Sequence, residues 1–510
     1  MSASSHRSGW LLAVLVSVYC LLGTLYAVRT PKWQTPDEPA HFNYIQYLAD
    51  NDRLPVLEAG DFPAQYLEEI KAAHFPPGMS ISPIRYESHQ PPLYYAWASL
   101  LYAASRALPF DLRFLLLRLL SVALGACVLL VAYQLVTAIF PGEEMLALGA
   151  TAFIALIPMH IALTAAINND TLAELLLMLL LWQCVLMLRE GVGARRAVGS
   201  GVLLGLALLT KTTVYLPAAG AAVAAVCLSA VSELRQDPGA RKAACMAGLR
   251  YLLLLGGVAL LVAGPWFVRN ALVYGGLDML AWTRHETVVA GQLRTAEKLA
   301  QQGLAASMGE FVVTSFHSFW AQFGWMGVPV DQRIYWALAL FSAVCAVGLA
   351  LYALPRLLRV ARGASPARLG YESWQVLGLQ LLALSALLTV LTYIGYNLGF
   401  WQPQGRYLFP ALGPLALAFA LALRELLNPR TARRLALIVS LAGLLLLGYA
   451  LWQGHLSRWM LALCAATLAW FGAAGWLPAR WRWLPPALLF AIFVALNLVC
   501  VSAFIVPYLS

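Results

Sequence analysis

Apolar runs of about twenty residues recur from one end of this sequence to the other, and a run of that length is what a helix needs to cross a hydrocarbon core of roughly 30 Å. Inside lipid the backbone must satisfy its own polar groups, so such runs are helices. They lack the residue-by-residue alternation of a membrane β-barrel. Composition agrees: the chain of 510 residues is 61% hydrophobic and 11% charged, against roughly 25% charged in a soluble domain. That deficit is too large for a surface facing water. The net charge of +10 would suit a nucleic-acid binder. The basic residues, however, are mostly Arg in short loops between apolar runs, the pattern of cytoplasmic loops, so no nucleic-acid partner is expected. The eight Cys lie almost all inside apolar runs, Cys20, Cys127, Cys184 and Cys345 among them. They offer neither a disulfide framework nor a zinc or haem spacing.

The expected fold is an all-α polytopic membrane protein of about thirteen transmembrane helices with two larger outer-face loops. The first run, Trp10 to Val28, follows His6 and Arg7 and precedes Arg29-Thr-Pro-Lys-Trp33 rather than a small-residue cleavage site. It reads as an uncleaved span with a cytoplasmic N-terminus. Further spans are expected near 114–140, 145–163, 171–188, 197–211, 213–231, 247–268, 332–353, 374–398, 407–423, 435–452, 459–477 and 484–507. The organisation is therefore a first span (1–28), an outer loop with interfacial helices (29–113), spans two to seven (114–268), a second outer loop (269–331) and spans eight to thirteen (332–510). The apolar segment Pro92–Leu108 decides the topology. If it crossed, the loops carrying Arg189/Arg195/Arg196, Arg235/Arg241/Lys242, Arg356/Arg359/Arg362/Arg368, Arg424/Arg430/Arg433/Arg434 and Arg480/Arg482 would all face outward. If it lies in the interface, they face the cytoplasm, and this is the reading taken. The loop Pro141-Gly-Glu-Glu144 has no basic residue and gives that reading no support.

Polar residues then concentrate above one membrane face. The strongest local signal is Thr35-Pro-Asp-Glu-Pro-Ala-His41. Thr35 as N-cap, Pro36 at the first helical position and Glu38 at the third would make a capping box without any chemistry. That does not require Asp37 or His41, which share a helical face four residues apart. A carboxylate beside an imidazole suits proton abstraction from a hydroxyl. Tyr86-Glu-Ser-His-Gln-Pro-Pro-Leu93 holds His89 in a proline-bounded loop, and Asn168-Asn-Asp170 is either a capping turn or a second acid. Lys211, Arg269 and Arg406, the last followed by Tyr407, sit at outer span ends against the positive-inside bias. Each can be explained by snorkelling, but an anion such as a lipid phosphate would account for all three. Trp266, Trp320, Trp325 and Trp401 suit an aromatic belt or a sugar-stacking surface.

An Asp-Glu pair after the first span, a basic residue and Pro-Pro-Leu closing the first long loop, an acid in the next outer turn and an outer-end Lys on a later span resemble the GT-C superfamily. Within it the resemblance is to the protein O-mannosyltransferase and aminoarabinose-to-lipid-A transferase group and its bacterial relatives. Asp37-Glu38 and His89-Gln-Pro-Pro92 carry it most specifically; Asn168-Asn-Asp170, Lys211 and Gln404-Gly-Arg406 add to it. The resemblance implies a glycosyltransferase in the bacterial cytoplasmic membrane with its site on the outer face. The donor would be a polyprenyl-phosphate sugar and the acceptor a lipid, glycan or protein. Asp37 would be general base or orienting carboxylate, with Glu38, His41 and Asp170 beside it, and His89, Lys211, Arg269, Arg406 and Tyr407 would hold the donor. No cofactor is certain, and a divalent cation stays open. The sequence departs from the group in two ways: residues 269–331 are too few for the mannosyltransferases' central sugar-binding domain, and Gln rather than Lys stands between His89 and the Pro pair. The competing readings are a transporter or flippase for a lipid-linked anion, to which the same cations would be useful, and a membrane scaffold, which leaves the one-sided polar loops unexplained.

Overall fold

The computed structural model describes residues 3–236, 239, 241–453 and 457–509. Helices form where the apolar runs lie: α1 Ala3–Arg29, then three short helices α2 Glu38–Asn51, α3 Ala64–Ala72 and α4 Leu93–Ala104 in the first long loop. The bundle continues with α5 Phe110–Ile139, α6 Glu144–Leu156, α7 Pro158–Thr164, α8 Asp170–Glu190, α9 Ala194–Leu208, α10 Tyr215–Gln236 and α11 Arg241–Tyr274. The second long loop holds α12 Trp282–Val288, α13 Thr295–Gln302 and α14 Leu304–Trp320, followed by α15 Gln332–Ala361, α16 Ser373–Gly399, α17 Leu412–Leu426, α18 Pro429–Gln453, α19 Arg458–Trp476, α20 Leu484–Val499 and α21 Val506–Leu509. Among the described residues the sheet is limited to a hairpin of two-residue strands, Gln322–Phe323 against Val328–Pro329.

Eleven described helices are long and apolar enough to cross a membrane, or twelve if the bent pair α6–α7 is one span. The chain is a multi-pass membrane protein. Two expectations change. The run 145–163 is not one straight helix: it breaks at Ile157–Pro158 with a bend of 69°, because a proline lacks the N–H that would continue the ladder. The run 197–211 yields only the 15-residue α9, at about 1.5 Å per residue well short of a full hydrocarbon thickness. It nevertheless runs back along α8: Asn169, at the start of α8, donates from its side chain to the carbonyl of Thr210 at 3.1 Å. Gly201 and Gly205 let α9 press onto α11, since a Cβ at either position would come within 2.6 Å of Leu255 O or Val262 Cβ. Pro92–Leu108 forms the 12-residue α4, which is too short to cross.

The apolar window of α8 is 72% buried and that of α18 only 6%, so α8 is the central post and α18 presents its side chains outward. The two long loops meet at one end of the bundle. Ala40, Leu67, Ile70, Ile84, Tyr86 and Val289 form a separate apolar cluster there. Three donors of the second region reach carbonyls of the first: Trp325 Nε1 to Trp33 (2.9 Å), Arg284 Nε to Leu57 (2.8 Å) and Arg269 to Pro55 (2.6 Å).

Candidate active site

The segment after α1 is held by one buried cation. Arg118 on α5 is 2% exposed and spends all five N–H donors. Three of its bonds go to the carbonyls of Ala27, Thr30 and Pro31, at 2.8, 2.6 and 3.1 Å, where the end of α1 leaves carbonyls without intrahelical partners. The other two are a bidentate pair to Glu38, at 2.8 and 2.7 Å. Glu38 also accepts from the backbone N–H of Trp33 and of Ile167, at 3.1 and 3.2 Å. With four bonds accepted and no exposure, it has no lone pair left for a substrate. Glu38 is an anchor, and the expected capping box does not form. The helix starts at Glu38 with Asp37 as N-cap, and no side chain caps it.

Asp37 is thereby set in a left-handed conformation, φ 68°, which Asp tolerates better than most residues. Its two oxygens face two partners. Arg406 donates to Oδ2 at 2.7 Å, and the phenol of Tyr86 donates to Oδ1 at 2.8 Å. Burial raises its pKa, but Arg406, His41 and Tyr86 more than offset this and hold the carboxyl at about 2. Arg406 is carried into place by Gly405, where a Cβ would collide with the Ser315 carbonyl and the Phe319 backbone of α14. His41, one turn into α2, shares a 2.8 Å hydrogen bond with Tyr95. Burial and then Lys211 push its pKa down to about 3, so it is a neutral imidazole at pH 7. Asp37, Asp170 and Arg406 also act on it electrostatically.

The second acid comes from the start of α8. Asn168 Oδ1 accepts from the backbone N–H of Asp170 and Thr171, at 3.0 and 3.4 Å, so the turn is stabilised by Asn168 and the Asp170 side chain is spared for Lys211, at 2.7 Å. Two carboxylate–cation pairs from four separate segments thus stand around His41. Asp170 and Arg406 line one small cavity together with His160, Thr171, Glu174 and Phe409.

Not every expected residue joins them. Lys211 and Arg406 converge, but Arg269 does not. Its guanidinium is hydrogen-bonded to Pro55 O and Asn270 Oδ1 and lies 5.1 and 5.6 Å from the rings of Trp266 and Tyr274. The two cations that converge are each paired with a carboxylate, so the site is not a nest of free positive charge. His89 binds the Tyr86 carbonyl through Nδ1 at 2.9 Å, and its ring lies 4.7 Å from that of His285. Burial and His285 lower its pKa to about 3, so it brings no positive charge at neutral pH. Tyr407 packs against Tyr396 and beneath Arg406. Trp320 and Trp401 are buried, and Trp325 ties the loops together.

Four participants escaped the sequence reading. Tyr86 and Glu87 lie in the same motif as His89 and carried no distinguishing mark. The Glu87 carboxyl is raised to about 8, by burial and then by Asp37, so it is largely protonated at pH 7. His160 and Glu174 are 2.9 Å apart and buried within apolar runs; an ionisable residue in such a run was the signal that would have found them. Among the described residues no group of three or more His, Cys, Asp or Glu is placed to hold a metal ion.

No protein-family model matches the sequence, and no curated protein matches it by sequence. Among solved structures, ArnT from Cupriavidus metallidurans in the apo state matches with a TM-score of 0.51 at 14% identity, over 98% of this chain and 77% of that one. The chain shares the overall fold of that ArnT structure. The same ArnT bound to undecaprenyl phosphate matches at 0.49 and 14% identity, over 100% and 77% of the two chains. AglB, the archaeal oligosaccharyltransferase from Archaeoglobus fulgidus in complex with an inhibitory peptide and a dolichol-phosphate, matches at 0.48 and 14% identity, over 98% and 56%. At these identities the likeness is one of fold, and the chemistry has to be argued from the side chains.

Proposed function

We propose that the chain is a membrane glycosyltransferase that moves a sugar from a polyprenyl-phosphate donor to an acceptor hydroxyl at the outer face. The observation that supports this best is the meeting of Asp37–Arg406 and Asp170–Lys211 at the end of the bundle capped by both long loops. Glycosyl transfer from a phosphate requires neutralisation of the departing anion and removal of the acceptor's proton. Arg406 and Lys211 serve the first need. When the donor phosphate takes up Arg406, Asp37 loses the cation that depresses its pKa and regains the basicity to accept the acceptor's proton. The bond from the sugar's anomeric carbon to the phosphate oxygen breaks, the bond to the acceptor oxygen forms, and the polyprenyl phosphate leaves. ArnT, whose apo form shares this fold, has been crystallised with undecaprenyl phosphate, a ligand of the class proposed.

The outer-face assignment rests on the Arg-rich loops opposite this end. The acceptor is a lipid, glycan or protein hydroxyl. A transporter would more often place its charged groups at a mid-membrane break. The His160–Glu174 pair does lie beside the break between α6 and α7, but the Asp37–Arg406 pair lies at the start of a short helix outside the spans, which favours the enzyme. The test is transfer by the purified protein from radiolabelled polyprenyl-phosphate sugars to candidate acceptors, with Asp37→Asn as control. Label moved by the wild type and not by the variant supports the reading. Donor uptake into proteoliposomes without transfer would replace it with the transporter.

A further inference from the structure

The proposed transfer leaves one carboxyl at the site unused. Glu87 sits in the short 3-10 turn Tyr86–His89, which is fixed from several sides. Tyr86 donates to Asp37, and the Ser88 hydroxyl donates to the Arg85 carbonyl at 2.7 Å. Beyond the turn, the Leu93 N–H reaches the carbonyl of Leu209, just before Lys211, at 2.9 Å. Glu87 is thereby held among the two ion pairs, where the charges of Asp37, Lys211, Asp170 and Arg406 all act on it. Yet among the described residues none hydrogen-bonds or pairs with its carboxyl, and Oε2 is sealed from water without a partner. The neighbouring Arg85 is taken by Asp61 at 2.8 Å. A buried polar atom left unpaired is costly enough to need an explanation.

The charges around it supply one. Asp37 and Arg406 cancel, and so do Asp170 and Lys211. The imidazoles of His41 and His89 are neutral at pH 7. Tyr86, Tyr95 and Tyr396, which also feel Glu87, are uncharged phenols. The net charge that the site presents to an anion is therefore decided by Glu87: none with its proton on, one negative charge with it off. Burial and then Asp37 raise its carboxyl to about 8, so at pH 7 it keeps the proton. In that form it is a hydrogen-bond donor whose acceptor has still to arrive. A phosphodiester brings acceptor oxygens and a negative charge. Its arrival beside Glu87 holds the proton more firmly.

We propose that Glu87 in its neutral form donates a hydrogen bond to the phosphate of the lipid-linked donor, and that as a carboxylate it turns the same anion away. This rests on the donor class proposed above. The probe is polyprenyl methyl phosphate, a sugar-free phosphodiester whose single charge does not change between pH 7 and pH 9. It is titrated in detergent against wild type, Glu87→Gln and Glu87→Leu, with thermal stability read at each pH. Glutamine keeps the shape and an N–H donor but cannot titrate, and leucine keeps the bulk with neither property. Because wild-type binding requires the proton on a group that titrates at about 8, affinity should fall by about tenfold from pH 7 to pH 9. Glu87→Gln should match wild type within about threefold at pH 7 and hold that affinity at pH 9. Glu87→Leu should be about tenfold weaker at pH 7 and equally insensitive to pH, as when a site's hydrogen-bonding group is removed. A wild-type affinity that is level from pH 7 to pH 9 would overturn the role, as would a decline that Glu87→Gln shares, which would belong to another group. Leucine binding as tightly as wild type at pH 7 would overturn the hydrogen bond. A folded wild type that binds the probe at neither pH would overturn the donor class, and this role with it.

Discussion

Glu38→Gln removes one charge and one acceptor oxygen from a carboxylate that accepts four hydrogen bonds in a fully buried place. A glutamine there retains a single acceptor oxygen and turns an NH2 group toward N–H donors of Arg118 or of the Trp33 and Ile167 backbone. Arg118, 2% exposed, is left without its counter-charge. Breaking one side of a buried pair costs about 3–5 kcal/mol. Because Arg118 keeps its three carbonyl acceptors, the lower part of that range is expected. Asp37→Asn, one residue away, is expected to behave in the opposite manner. Asn tolerates the left-handed backbone, keeps an acceptor for Arg406 in a pair that is 26% exposed on the Asp37 side, and leaves the Glu38–Arg118 anchor untouched, so stability should fall less than in Glu38→Gln while turnover falls by at least about 10²-fold, the scale of losing a general base. The assay is thermal inactivation half-life in detergent, suited to a large membrane protein that unfolds irreversibly, measured beside turnover per folded molecule. Equal and mild effects of the two substitutions on both quantities, or a Glu38→Gln protein as stable as wild type, would refute the division into anchor and base.

Arg406→Lys should weaken polyprenyl-phosphate binding by roughly tenfold, because a lysine loses the planar fork, whereas Arg269→Lys should leave that affinity unchanged and lower thermal stability. Loss of affinity in both would place Arg269 in the donor site after all. Lys211→Met should weaken the same lipid with little loss of folding, since the stem tolerates an apolar end; unchanged binding would remove Lys211 from the phosphate site. The raised Glu87 carboxyl gives a pH test. Between the ordinary glutamate pKa and about 8 the unfolded chain is ionised there while the folded chain holds its proton, so stability from this group falls as pH rises through that window. Glu87→Gln should therefore gain stability over wild type at pH 8 and little at pH 5, and thermal unfolding at the two pH values reads this directly; a gain that is the same at both would show that Glu87 is not titrating. Reporters fused after Arg196, Lys242, Arg362 and Arg434 should read as cytoplasmic, and those after Asp61 and Gln292 as external; a cytoplasmic signal at Asp61 would invert the outer-face assignment.

The sequence by itself determined the solvent and most of the architecture. Hydrocarbon thickness and backbone satisfaction leave a chain with these recurring apolar runs little choice but membrane-crossing helices, so ten of the twelve later runs fall in single candidate spans close to where hydropathy places them. It also singled out Asp37, Asp170, Lys211 and Arg406, because charges at one end of apolar spans are costly enough to need a reason. What it could not decide was partnership. Asp37 meets Arg406 across 369 positions, and Glu38 meets Arg118 across 80. Glu38 looked like a helix cap beside a catalytic acid, and only the approach of α5 to the end of α1 made it an anchor. Arg269 and Arg406 both stood at span ends with equal claims on an anion. Packing gave one a carboxylate, and gave the other a backbone carbonyl and two aromatic rings. Hydropathy and capping are local properties, read within a turn or two of helix. Whether a charge is free, paired or buried depends on which helices touch, and that is set only when the bundle closes around α8.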